Sequence, residues 1–183
     1  RSVSAFLLNR SSDLAITHNT EYPGIDLTVK AVPVDSAVCA LGQGTEEEPY
    51  KVTTTADLKN LSAYSSLAGT NFYAQQIDDI DMEGLTIEPL FGDSATFAGH
   101  YDGGGHVIRN LKMENYKGIT LGLFAEVSGT VERLGIENST FKAVANDARV
   151  GALAARLAGD ALLSDCYVKG CTIAYNDVRG VVG

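Results

Sequence analysis

The chain has 183 residues, 45% of them hydrophobic, with nineteen glycines, four prolines and no tryptophan, a balance that suits many short strands joined by tight turns. Acidic residues outnumber basic ones 23 to 14, giving a formal net charge of −9. With no basic stripe to meet phosphates, nucleic acid and an anionic membrane surface are disfavoured as partners, and no apolar run is long enough for membrane insertion as a helix.

Residues 1–44 read as strands: Leu14-Ala15-Ile16-Thr17, the alternation Ile25, Leu27, Val29, and Val32-Pro33-Val34. This stretch is too short for a sandwich, so it is expected to be the end of an upstream domain or a cover for the first coil of a solenoid. Ala5-Phe6-Leu7-Leu8 is too short for a signal-peptide core. Gly42-Gln43-Gly44-Thr45 with Glu46-Glu47-Glu48-Pro49 reads as a flexible charged junction, and a second unit, 45–183, begins there. Cys39, Cys166 and Cys171 make no disulfide framework.

After a short strand at Tyr50-Lys51-Val52, Thr53-Thr54-Thr55 offers a capping hydroxyl and Asp57 falls in a first helical turn. Leu58, Leu61, Ala63, Tyr64 and Leu67 mark one face at helical spacing, and Gly69 ends the helix. One amphipathic helix ahead of a strand-rich chain suits a cap over the open end of a stack of strands.

Two clusters of polar residues come next. Asp78, Asp79 and Asp81 are carboxylates of the kind used in glycoside hydrolysis or calcium binding. In a strand Asp79 and Asp81 share a face and Asp78 takes the other, and no Lys or Arg stands near them in an evident constellation. His100 and His106 flank Asp102 and Gly103-Gly104-Gly105, a pattern open to metal or acid–base chemistry. Both clusters read more simply as structure: aspartates accepting backbone N–H bonds at a corner, and a turn whose glycines supply positive φ. No metal site or cofactor is expected.

From Val107 onward the chain says nearly the same thing three times. Gly122, Gly151 and Gly180 lie 29 residues apart, each in an apolar patch. Val107–Met113, Thr130–Ile136 and Leu162–Val168 each carry apolar residues at relative positions 2, 5 and 7. The expected stacked columns are Ile108, Val131, Leu163; then Leu111, Leu134, Cys166; then Met113, Ile136, Val168; and Phe124, Leu153, Val182. Cys166, in the place of a leucine, reads as a small buried apolar residue. The unit from Val131 to Leu163 is 32 residues against 23 before it, which points to turn insertions at Asn146-Asp147 and Gly159-Asp160. Val181-Val182-Gly183 stops inside a repeat, so the chain is expected to be part of something longer, with an unfinished coil open to end-to-end self-association.

The order of features resembles the segment that introduces GLUG-motif repeats in bacterial surface and secreted proteins. It comprises a Pro-Tyr start, a capping helix, Asp79-Ile80-Asp81-Met82, Pro89-Leu90-Phe91-Gly92, Phe97 to Ile108 with Asp102, Gly103, Gly105 and His106, and then Gly122-Leu123-Phe124-Ala125. Gly151-Ala152-Leu153-Ala154 and Gly180-Val181-Val182-Gly183 match more loosely. The resemblance covers residues 44–183. It implies an all-β, right-handed parallel β-helix with one short N-terminal capping helix, preceded by the β-rich segment.

By that resemblance the expected function is a non-catalytic module of a secreted or surface-anchored protein, for adhesion or structural display outside the cell. Its partners would be a host or cell-wall glycan or a surface protein. The alternatives are a carbohydrate-active enzyme or carbohydrate-binding module, with Tyr101, Tyr116, Tyr167 and Tyr175 as sugar-facing rings, or the accessory region of a large surface peptidase. No His-Glu-x-x-His and no Gly-x-Ser-x-Gly elbow is present.

Overall fold

The computed structural model describes residues 38–39, 41–63, 68–92 and 94–175. The strands expected before residue 38, Tyr64 and Leu67 of the helix, Gly180 and Val182 lie outside the described residues. Within them the fold is a parallel β-solenoid of about three turns with a single short helix.

The chain enters through Gly42–Glu48, which is a hydrogen-bonded loop and not the open linker its composition suggested. The N–H groups of Gln43 and Gly44 donate to the Glu48 carbonyl at 2.9 and 3.0 Å. β1 (Tyr50–Val52) leads to α1 (Thr55–Ala63). Thr54 caps the helix: its hydroxyl accepts from the Asp57 N–H at 3.2 Å, while Asp57 Oδ2 accepts from the Thr54 N–H at 2.9 Å. Leu58 and Leu61 face the core, and the Leu61 carbonyl accepts from the Phe91 N–H at 3.0 Å.

The coils then succeed one another. Coil 1 holds β2 (Tyr73–Gln76), β3 (Ile80–Asp81) and β4 (Thr96–Phe97). Coil 2 holds β5 (His100–Asp102), β6 (Val107–Arg109), β7 (Lys112–Tyr116), β8 (Thr120–Leu121) and β9 (Phe124–Val127). Coil 3 repeats this as β10 (Thr130–Glu132), β11 (Gly135–Glu137), β12 (Thr140–Ala143), β13 (Arg149–Val150) and β14 (Ala154–Leu157). Coil 4 contributes β15 (Leu162–Ser164), β16 (Tyr167–Lys169) and β17 (Thr172–Tyr175). Every named ladder is parallel, so each strand takes its ladder hydrogen bonds from one or both of the adjacent coils.

The register corrects all four of the expected columns. Val131 stacks on Leu163 as expected, but its partner in coil 2 is Tyr101, not Ile108. Ile108 belongs with Ile80, Ile136 and Val168. Met113 lies under Phe141 and Ile173. Phe124 pairs with Ala154, one residue past Leu153. Leu134 and Cys166 follow the paired residues Glu132 and Ser164 by two, whereas Leu111 precedes Lys112, the partner of Thr140, and so shares its corner with Ser139. Gly122 and Gly151 each follow a paired residue, Leu121 and Val150.

The cause is a period of five inside each coil. Three strand residues, one residue at positive φ and one corner residue make a unit, as in Thr130–Leu134, Gly135–Ser139 and Leu162–Cys166. The middle strand residue and the corner residue point inward. Positions 2, 5 and 7 therefore look alike after any shift of five, and Val107–Met113 matches Thr130–Ile136 although its true counterpart is Gly135–Phe141. Equivalent residues are 30 apart from His100 to Thr130 and 32 apart from Thr130 to Leu162. The longer coil gains residues around Asn146-Asp147 and Gly159-Asp160, where Asp147 and Gly159 have positive φ.

The positive-φ corners explain polar residues that a strand would not choose. Asn110 (φ 58°), Asn138 (φ 50°) and Gly170 (φ 64°) form one such column. Asparagine and glycine are the residues that enter this region at least cost. We expect Asn138→Ala to lose about 1 kcal/mol and Asn138→Gly to lose markedly less, read by chemical denaturation; equal losses would contradict this origin of the corner.

The core runs along the solenoid axis. Near the helix end Phe72, Phe91, Phe97 and Phe124 pack together, with Phe91 and Phe97 stacked at 4.9 Å between centroids. In coil 4, the last of the described residues, Val168 and Ile173 are 46% and 50% exposed. Cys166 is accordingly half-buried there rather than enclosed.

Candidate functional site: a polar ladder between coils

Because inward strand positions are apolar, Gln76 excepted, the charged side chains of the strands point out, and the parallel register sets each beside the equivalent side chain one coil away. On the sheet of β2, β5, β10 and β15, Gln75, Asp102, Glu132 and Ser164 form one file. Asp102 is fully engaged: Gln75 Nε2 donates to it at 3.2 Å, the Gly104 N–H at 2.8 Å, and Arg133 through both Nε, at 3.0 Å, and Nη2. His100 Nε2 lies 2.9 Å from Glu132 Oε1.

On the neighbouring sheet, Asp81, Arg109, Glu137 and Lys169 alternate in charge from coil to coil. Asp79 accepts from the Val107 N–H at 3.1 Å and from Arg109 Nη2 at 2.5 Å, and His106 Nδ1 lies 3.3 Å away. Asp81 accepts from Asn110 Nδ2 at 2.8 Å and from the Glu83 N–H at 2.8 Å. The expectation that no basic residue stands by these aspartates is thus corrected: Arg109, 30 positions along, reaches Asp79 because one coil separates them. Tyr167 lies across Gly135, where a Cβ would come within 2.6 Å of its ring, and its hydroxyl donates to Glu137 at 3.0 Å.

The glycine turn also differs from its expected form. Gly104 and Gly105 take positive φ (62° and 83°), whereas Gly103 does not. Gly103 is required by closeness: a Cβ there would stand 2.4 Å from the Arg133 carbonyl oxygen and 2.6 Å from Leu134 Cα. His106 turns to Asp79 and not to the backbone of its own turn.

The electrostatics arise from these contacts. The Val107 N–H, aided by His106 and Arg109, holds the Asp79 carboxyl below the usual range. Asn110 does the same for Asp81. Burial pushes Asp102 up, but the Gly104 N–H and Arg133 outweigh it and the net direction is down. A carboxyl with a depressed folded pKa adds stability that is present above its unfolded value, near 4, and is lost as pH falls through the folded value. We therefore expect Asp102→Asn to lose roughly 1 kcal/mol at pH 7. That difference from the parent should shrink below about pH 4. Thermal melts at both pH values check it, and a difference unchanged at low pH would contradict it.

Chemically, the arrangement joins coils. Each carboxylate of the ladder is turned to a donor on an adjacent coil, and Asp79, Asp102 and their partners sit on an outer face, away from the clefts at Thr86–Gly118 and Gln43–Phe72. Among the described residues no three His, Cys, Asp or Glu side chains gather as a metal-ligand set. No described helix is long and apolar enough to cross a membrane.

No family model matches the chain. Two sequence relatives are much longer proteins. Over 127 residues, 65% of this chain, it is 32% identical to a protein of Evansella cellulosilytica named as a Gly-rich membrane protein, of which it spans 14%. Over 156 residues, 78% of this chain, it is 32% identical to halomucin of Haloquadratum walsbyi, of which it spans 2%. Among solved structures, an immunoglobulin A1 protease-type protein from Bacteroides ovatus aligns over 77% of this chain and 66% of its own at a TM-score of 0.38 and 15% identity, too remote to carry an argument.

Proposed function

We propose that residues 45–183 are a non-catalytic, GLUG-type β-solenoid module of a secreted or surface-anchored protein, serving adhesion or structural display. The observation that carries this reading is the engagement of the outward carboxylates. Asp79, Asp81 and Asp102 spend their oxygens on donors that include residues of neighbouring coils, the chemistry of a spacer held in register, and the two clefts described above are lined by other residues. Two long relatives, one named as a membrane protein and one as a halomucin, support a place at the cell surface. The partners that fit are a host or cell-wall glycan, a surface protein, or another copy meeting it end to end. Residues 1–44 would then belong to an upstream domain or to a cover.

Protease treatment of intact cells that express the parent protein tests the location. Cleavage of the module without lysis is the expected result, and protection until lysis would overturn it. A carbohydrate-active reading draws on the Asp79–His106–Arg109 group. Incubation with pectin-like and host glycans decides it: no rise in ultraviolet absorbance is expected, and a rise abolished by Asp79→Asn would replace the scaffold with an enzyme.

A further inference from the structure

The inter-coil ladder is interrupted beneath β7 and β8. β7 pairs with β12 of coil 3, but the residues of coil 1 beneath it, 85–89, form no strand. The Lys112 N–H donates to the Leu85 carbonyl at 3.2 Å and the Leu90 N–H to the Leu123 carbonyl at 2.7 Å. Between these two bonds the coils part and leave a cleft of about 320 Å³. Its edge is a bulge: the five residues of β7 oppose the four of β12, with Asn115 at φ 58°. Bulges of this kind re-aim side chains and gather beside sites.

The lining divides into two kinds. The half-buried ring of Tyr116 supplies the apolar floor, backed from the core by the buried side chains of Ile87 and Met113. Gly118 is what admits that ring, since a Cβ there would stand 2.6 Å from it. Glu88, Asn115 and Lys117 make an exposed polar rim. Glu114 is turned away to Lys142 at 3.0 Å, so the rim charges are Glu88 and Lys117, neither ion-paired among the described residues, and they cancel.

The geometry points to a binding site for one neutral sugar ring, its C–H face on the ring of Tyr116 and its hydroxyls bonded to Glu88, Asn115 and Lys117. A pyranose presents one apolar face and an equator of hydroxyls, the pairing of floor and rim found here, and small-ligand sites generally set a few polar groups around an apolar surface. The balanced rim favours a neutral ligand over a charged one. This inference goes beyond the display reading and holds wherever the protein resides.

The test is titration of the isotopically labelled 183-residue chain with glucose, galactose, mannose and N-acetylglucosamine, tracked by amide chemical shifts. At least one sugar is expected to move the amides of 86–88 and 114–118 in a saturable way, with millimolar affinity, and to leave the Asp79 and Asp102 region unmoved. Glu88→Ala and Lys117→Ala, both exposed and expected to fold, should each weaken that sugar about tenfold. The site is overturned if no sugar moves those amides up to its solubility limit, if the shifts centre elsewhere, if both variants bind like the parent, or if glucuronate or glucosamine binds more tightly than every neutral sugar.

Discussion

Leu134→Asp is expected to unfold the solenoid. Leu134 is fully buried at the corner between β10 and β11, with the backbone of Gly103 pressed against it from coil 2. A carboxylate there loses its water and finds no donor of its own, while Glu132 and Asp165 already place negative charge close by. The cost of a buried unpaired charge, added to that of the lost leucine, is roughly 4–5 kcal/mol or more, most of the stability of a module this size. Leu134→Ala, which leaves only a cavity, should lose about 2–4 kcal/mol and stay folded at 25 °C. Circular dichroism and a urea melt separate the two, and a Leu134→Asp chain that melted like its parent would refute the placement of that corner.

Phe91→Ala carries the second large effect. The ring of Phe91 is stacked on Phe97 and packs against Phe72 and Phe124, and the residue is fully buried. Its backbone sits at φ 65°, a region a bulky side chain enters only when the surroundings hold it there. Removing the ring should lose about 3–5 kcal/mol, a drop in melting temperature of roughly 10 °C. Phe91→Gly leaves the same cavity but relieves the backbone, so it should melt above Phe91→Ala, the reverse of the order seen at ordinary positions. If alanine proves the more stable of the two, the left-handed conformation at 91 is wrong.

The strands were legible because solenoid coils repeat their chemistry. Tyr50–Val52, the Thr54 cap, Leu58 and Leu61 on one helix face, and the pairing of Val131 with Leu163 all come from local pattern. The register of coil 2 did not, and the reason is physical. A five-residue unit places Ile108, Leu111 and Met113 inward in the same spacing as Val131, Leu134 and Ile136, so hydrophobic pattern alone cannot tell one strand of a coil from the next. Spacing between the glycines held better clues: Gly122 and Gly151 lie 29 apart, close to the true coil length, whereas the interval from Ile108 to Val131 is 23.

The polar ladder was legible only in part. Asp79, Asp81, Asp102 and His106 stand out in the sequence as clustered titratable groups. Their partners Arg109, Asn110 and Arg133 are about 30 residues downstream and reveal themselves only once the coil length is known. The alternation Asp81, Arg109, Glu137, Lys169 could have been found by reading charge at coil spacing, since like charges in adjacent rungs would repel. Gly103 misled for a different reason: a glycine demanded by a neighbouring coil looks the same in sequence as one demanded by φ.

The most direct test of this register is cross-linking across the stack. With Cys39, Cys166 and Cys171 replaced by alanine or serine, Arg109→Cys combined with Glu137→Cys should oxidise to a disulfide. Their Cα atoms are paired across a parallel ladder, whose strand spacing of about 4.8 Å falls within disulfide reach. Arg109→Cys combined with Glu132→Cys, the pairing implied by the 23-residue interval, should remain reduced. Mass spectrometry under mild oxidation reads both. A bridge in the first pair alone confirms the stack in which Asp79 meets Arg109; a bridge in the second pair, or in neither, contradicts it.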